Sequence, residues 1–117
     1  MLSSLDVALG GTLTTQGLSG AALVDAVTGL AYATLGDVSG SQDACETADI
    51  ARTRLHRAGV EGELESIIVT TATQHLVTLQ MERTGDPLLL CANVDRDRTN
   101  ITWALRDLAR HADDLLR

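Results

Sequence analysis

Residues 20–37 read GAALVDAVTGLAYATLGD. Two apolar runs flank Val27-Thr28-Gly29, and a glycine stands near each end. The spacing predicts a strand over Ala21 to Ala26, a tight turn at the glycine, and a returning strand over Leu30 to Leu35. Both strands carry small or apolar side chains on each face, so both faces of the sheet they enter must be covered. The same glycines could also be read as a phosphate cradle, since GDVSGS at 36–41 follows a strand and precedes a helix. A P-loop needs a lysine to reach the phosphates, and the chain has none. Asp37, Asp43 and Glu46 also surround that helix start with negative charge, which opposes an anion. The stretch is therefore read as a hairpin followed by a capped loop.

Beyond the loop, Asp43 with Glu46 three residues later has the form of a helix start: an acceptor at the N-cap and a carboxylate at N3. The pattern predicts a helix from Asp43 to Ala58, stopped by Gly59. At about 100° per residue, Ala44, Ala48, Ala51, Leu55 and Ala58 share one face, a small-residue stripe that lets the helix approach a sheet closely. Ile50 lies well off that stripe. The charges are ordered as well, with Asp43, Glu46 and Asp49 in the first half and Arg52, Arg54 and Arg57 in the second, which complements the helix dipole. Two such helices packed antiparallel about a twofold axis set each acidic half against a basic half, as an isologous dimer requires. Asp43, Glu46, Asp49 and Arg52 are accordingly candidate dimer residues, together with Leu64, Ile67, Ile68 and Val69 of the apolar segment LESIIV.

LESIIVTT (64–71), HLVTLQME (75–82) and LLLCANV (88–94) read as three strands. The short ATQ connection and the RTGDP turn favour a consecutive antiparallel meander over parallel crossovers. Ile67 and Val69 point one way and Ile68 the other. From about Arg98 to Leu116, Ile101, Ala104, Leu105, Leu108, Ala112, Leu115 and Leu116 fall on one helical face. At the other end, Leu2, Leu5, Leu9 and Leu13 predict a short helix ending near Thr14. The order is helix, two strands, helix, three strands, helix: an α+β fold on a five-stranded antiparallel sheet with helices on both faces. At 117 residues the chain fits one domain, residues 1–117, with enough length for one sizeable core.

The composition, 44% hydrophobic against 21% charged with a single proline, is that of a globular chain rather than a disordered one. All nine cationic residues are arginine, a usage that points to a GC-rich bacterial genome. A net charge of -7 argues against general affinity for nucleic acid or anionic lipid, both of which need clustered positive charge. The opening MLSSLDVALGG lacks a basic n-region, and no stretch reaches 18 uncharged apolar residues, so neither secretion nor membrane insertion is expected. A cytoplasmic location follows, and Cys45 and Cys91 then read as two buried thiols.

Catalytic and metal chemistry find little support. DRDRTN at 95–100 begins like a calcium loop, but its sixth position is Asn100 rather than glycine and its twelfth is Arg106 rather than glutamate. It is better read as short polar side chains that accept hydrogen bonds from free amides at the start of the last helix. His56, His75 and His111 have no metal-ligand spacing and are expected at the surface or at a sheet edge. No serine sits in a GxSxG turn and no nucleophile is paired with an evident base, so neither an enzyme nor a cofactor is expected. Trp103 projects about 160° from the apolar stripe of the last helix. We expect it to pack against the first helix or an adjoining loop, with a partner contact as the alternative.

Taken together, GLSGAALVDAVTGLAYATLGD (17–37), GELESIIVTTATQHLVTLQM (62–81) and NVDRDRTNITWALRDLARHADDLL (93–116) resemble the first hairpin, central hairpin and closing helix of the roadblock, or dynein light-chain, domain family. The resemblance covers nearly the whole chain. It implies a homodimer in which the third strands of two subunits join into one long sheet and the middle helices lie side by side. It also implies a partner, because bacterial members commonly bind a small Ras-like GTPase as activators or scaffolds. The expected contact residues are Thr47, Ile50, Arg54 and Arg57. An inserted arginine could stabilise phosphoryl transfer, but Arg54 and Arg57 have the simpler task of meeting acids across the dimer, so an adaptor is preferred. The alternatives are a profilin-like or PAS-like small-molecule sensor, or a purely structural assembly unit built on sheet edges.

Overall fold

The computed structural model describes residues 9–38, 40–83 and 86–115. The quoted hairpin forms where its sequence places it, as β1 (Leu18–Asp25) and β2 (Ala31–Gly36) in antiparallel register. Its turn is built by Asp25. One carboxylate oxygen accepts the N–H groups of Val27 at 2.8 Å and Thr28 at 2.9 Å, and the other accepts the Tyr32 hydroxyl at 2.8 Å. The Thr28 amide, then Tyr32 and Val27, hold the Asp25 carboxyl below its usual range by favouring the charged form. At the other end of the hairpin the glycines serve packing rather than phosphate. A Cβ on Gly20 would run into the backbone of Asp37.

The chain continues through α1 (Ala44–Arg57), β3 (Ser66–Thr70), β4 (Gln74–Arg83), β5 (Asp86–Asp95) and α2 (Ile101–Leu115). The sheet order is β2-β1-β5-β4-β3, with every neighbouring pair antiparallel. The expected meander is therefore present, and β5 returns through the middle to pair with β1. Two positions of the RTGDP turn, 84 and 85, lie outside the described residues, as do Leu2 and Leu5 of the predicted N-terminal helix. Of that segment, Leu9 is buried and Gly11–Thr14 form a 3-10 turn, with the Thr12 hydroxyl donating to the Leu9 carbonyl at 2.7 Å.

Strand alternation divides the interior into two layers. Ala21, Leu23, Val77, Leu79, Met81, Leu88, Leu90 and Ala92 face α2, where Leu108 and Ala112 close over them. Ala22, Val24, Leu89 and Cys91 face the opposite way, against Ala44 and Ala48 of α1. Helices thus cover both faces, which is why β1 and β5 are apolar on both sides. Burial of each large aliphatic side chain contributes roughly 1.5–3 kcal/mol. Burial also raises the Cys91 thiol to about 11, because the thiolate would be desolvated there.

Three local expectations need correction. Asp43 makes no capping bond: Gly40 takes φ +84° and opens a 3-10 turn, Ser41–Asp43, that runs straight into α1. Asp43 is therefore already in helical geometry rather than the extended geometry of a capping residue. The small-residue stripe of α1 is buried only at Ala44 and Ala48, while Leu55 stands 38% exposed and Ala58 is exposed. His75 is not at the surface but buried, its Nδ1 2.7 Å from the Thr70 hydroxyl across the β3–β4 ladder. The helix stop is as expected. The Gly59 amide donates to His56 and the Val60 amide to Leu55, a Schellman closure that the glycine permits at φ +75°.

Candidate functional site

The surface that stands out is the outward side of α1 with the adjoining edge strand β3. Helical geometry places Thr47, Ile50, Arg54 and Arg57 within an arc of roughly 80°. All four are exposed, Ile50 by 52% of its surface. Ile50 is thus an exposed aliphatic side chain flanked by two arginines that form no ion pair among the described residues.

The candidate dimer residues fall in two groups. Asp43 and Glu46 are exposed at the start of α1. Asp49 and Arg52 instead pair with each other at 2.8 Å, and the Arg52 guanidinium also donates to Gln80 Oε1 of β4 at 3.0 Å. Arg52 therefore leans down toward the sheet, on a flank roughly 160° around the helix from Arg54. Leu64, two residues before β3, and Ile67 on it are half-buried beneath α1, Val69 is exposed on that same face, and Ile68 is exposed on the α2 face.

The edge of β3 has a defined polarity. The Gln80 N–H donates to the Glu65 carbonyl at 2.8 Å, and the Thr71 N–H donates to Gln74 at 2.8 Å. Because the backbone groups of alternate residues point to opposite sides, those of Ile67 and Val69 also turn toward β4. Those of Ser66, Ile68 and Thr70 turn outward. Three consecutive outward positions on a terminal strand are a template for another strand.

Where α1 lifts from the sheet it leaves a cleft of about 520 Å³. Ala26, Val27, Leu55, Val60, Leu64 and Pro87 supply its apolar lining, and Asp49, Arg52, His56, Glu63 and Gln80 its polar lining. Sequence reasoning missed this feature, because the alanine stripe predicts close packing along the whole helix. Trp103 departs from expectation too: it is 61% exposed, with the Arg106 guanidinium 5.1 Å from its ring centroid. The start of α2 behaves as DRDRTN implies. Asp95 accepts the Asp97 amide at 2.9 Å, and Asn100 accepts those of Thr102 and Trp103. Among the described residues, no three His, Cys, Asp or Glu side chains converge as a metal site, and no helix is long and apolar enough to cross a membrane.

No protein-family model matches the chain, and no curated protein matches it. Solved structures do. A Roadblock/LC7 domain from Streptomyces avermitilis is 18% identical, with a TM-score of 0.77 over 97% of this chain and 95% of that one. MglB from Myxococcus xanthus is 12% identical, with a TM-score of 0.76 over 98% and 94%. MglB in a tetrameric arrangement is 16% identical, with a TM-score of 0.78 over 100% and 91%. The chain thus has the Roadblock/LC7 fold over nearly its whole length, as its sequence resemblance implied.

Proposed function

Proceeding from the Roadblock/LC7 fold, we propose that this chain is a non-enzymatic, cytoplasmic homodimer that presents its paired α1 helices to a small Ras-like GTPase. Two β3 strands pair antiparallel through the outward groups of Ser66, Ile68 and Thr70, making one continuous sheet from two. The twofold axis of an antiparallel strand pair is perpendicular to the sheet. Both α1 helices therefore lie on one face and run in opposite directions. The flank of α1 turned toward the other copy is the one that carries Asp49 and Arg52, since Arg52 reaches Gln80 of β4, the strand beside β3. Arg54, roughly 160° around the helix from Arg52, stays on the outward side with Ile50.

The observation that carries the partner assignment is the exposed strip of Ile50 with Thr47, Arg54 and Arg57. It supports protein binding, and the family resemblance supplies the kind of protein. The tetrameric arrangement of MglB, a structure of the same fold, is in keeping with self-association. The test is calorimetric titration with small Ras-like GTPases encoded near this gene, each loaded with GDP or a non-hydrolysable GTP analogue. One nucleotide state should bind, and Ile50→Arg should weaken it at least about tenfold. An adaptor loses little of any stimulated hydrolysis on Arg54→Ala or Arg57→Ala, whereas loss of an arginine finger costs about 10³-fold. No binding in either state would overturn the assignment.

A further inference from the structure

We infer that the outer edge of β2 is a second self-association surface, through which copies of this chain join edge to edge at high concentration. The junction rests on β2 alone, and growth of a longer ribbon rests on the β3 dimer. β2 and β3 are the two terminal strands of the sheet, whose order is β2-β1-β5-β4-β3. Pairing through β3 therefore leaves a β2 edge at each end of the joined sheet. An edge strand is ordinarily guarded by charge, by proline or by a covering element. The β2 sequence AYATLG (31–36) has no charged residue and no proline, and its Ala31, Tyr32, Thr34 and Gly36 are exposed. A register shift opposite Leu23-Val24 interrupts the ladder near Ala31, and from Ala33 to Gly36 it is regular.

The Asp37 N–H donates to the Ser19 carbonyl at 2.9 Å, which sets the direction of the strand. By alternation the backbone groups of Leu35 and Ala33 also turn toward β1, and those of Gly36 and Thr34 turn outward. The sequence suits a second copy of itself. In an antiparallel pair centred on Thr34, each Thr34 meets its twin and exchanges both outward backbone bonds with it. Tyr32 falls opposite Gly36, where an aromatic ring covers a residue without a side chain, and Leu35 falls opposite Ala33. Leu30, 69% exposed, falls opposite Val38 and adds apolar surface. Asp37, the charge that follows the strand, falls opposite Ala31, so the two carboxylates sit at opposite ends of the junction, about 20 Å apart. The arrangement is self-complementary without like charges in contact, as a twofold contact requires. The junction is short, so it forms at concentrations well above those that hold the β3 dimer. Each β3 dimer carries two such edges, and alternation of the two contacts extends the sheet into a ribbon.

The test is light scattering on the full chain from about 10 μM to about 1 mM, with amide spectra of ¹⁵N-labelled protein over the same range. The parent should hold about 25 kDa, twice its 12.4 kDa, at the low end and at least double that mass at the high end. The Thr34 and Gly36 amide signals should move with the increase. Thr34→Lys sets a cation against its twin at the centre of the junction and should keep the low-concentration mass throughout. Thr34→Val should associate as the parent does, because the junction uses backbone groups. Position 34 is exposed, and unchanged circular dichroism shows that either variant keeps the fold. Ile68→Pro should rise from 12.4 kDa to about 25 kDa and no further, and the double variant Ile68→Pro, Thr34→Lys should stay at 12.4 kDa. A parent that is monomeric at the low end loses the β3 dimer, and the β2 junction then predicts pairing, and nothing larger, at the high end. A parent mass that does not rise, a Thr34→Lys variant that grows as the parent does, or concentration-dependent signals centred away from β2 would overturn the inference.

Discussion

The backbone N–H of Gln80 donates to the carbonyl of Glu65 at 2.8 Å, and this bond sets the direction of every backbone group along β3. Ile67 and Val69 are tied to β4, whereas the amides of Ser66, Ile68 and Thr70 face outward. In a strand-paired dimer both sets are protected from hydrogen exchange. On dilution the outward set should lose its protection first, leaving Ile67 and Val69 slow, and amide exchange followed by NMR or mass spectrometry reads the difference. Fast exchange at Ser66, Ile68 and Thr70 at every concentration would count against pairing through this edge.

Leu108 and Leu55 are both apolar helix residues, but only Leu108 is fully buried. Leu108→Ala should cost about 2–5 kcal/mol through lost burial and the cavity left behind. Leu55→Ala should cost less than about 1 kcal/mol, because its side chain borders the open cleft. Denaturant unfolding of the two variants measures this contrast. Equal losses would mean that α1 seats on the sheet along its whole length.

Gly20 and Gly59 are required for different reasons. Alanine at Gly20 drives a methyl group into the Asp37 backbone and should cost about 3 kcal/mol. Alanine at Gly59 meets open space and has only the left-handed conformation to oppose it, at about 1 kcal/mol. Thermal unfolding should therefore rank Gly20→Ala well below Gly59→Ala.

Asp25 makes the first turn pH-sensitive. Its folded carboxyl titrates below the unfolded value, so its contribution is complete above the unfolded pKa of about 3.9 and disappears as pH falls through the folded pKa. A carboxyl-detected titration should find Asp25 below the ordinary carboxylate range, with the Val27 and Thr28 amide signals moving along the same curve. Asp25→Ala should remove that transition.

Much of this fold was legible because short-range chemistry agreed with the long-range arrangement. Val27-Thr28-Gly29 turns where it must, Gly59 stops α1, and the alternation of Ile67, Ile68 and Val69 survives in the β3–β4 register. The misreadings arose where the surrounding backbone geometry, rather than the residue's own identity, decided the outcome. Asp43 has the identity of a cap, but Gly40 winds the chain into a 3-10 turn before it. His75 is buried because Thr70 lies opposite and takes up its ring nitrogen. Leu55 belongs to the apolar stripe by spacing, yet it stands 38% exposed and borders the cleft with Val60 and Leu64. Of the candidate surface, the strip from Thr47 to Arg57 could be read from helical periodicity alone. The parity of β3 and the inward lean of Arg52 toward Gln80 needed the strand register.

The central claim is a dimer formed through β3, and light scattering coupled to size exclusion tests it most directly. At micromolar concentration the parent chain should elute at about 25 kDa, twice its 12.4 kDa. Ile68→Pro removes an outward N–H while leaving the bonds to β4 in place, a substitution that an edge strand tolerates. It should elute at 12.4 kDa with unchanged circular dichroism. A monomeric parent, or an Ile68→Pro variant that stays dimeric, would contradict the account.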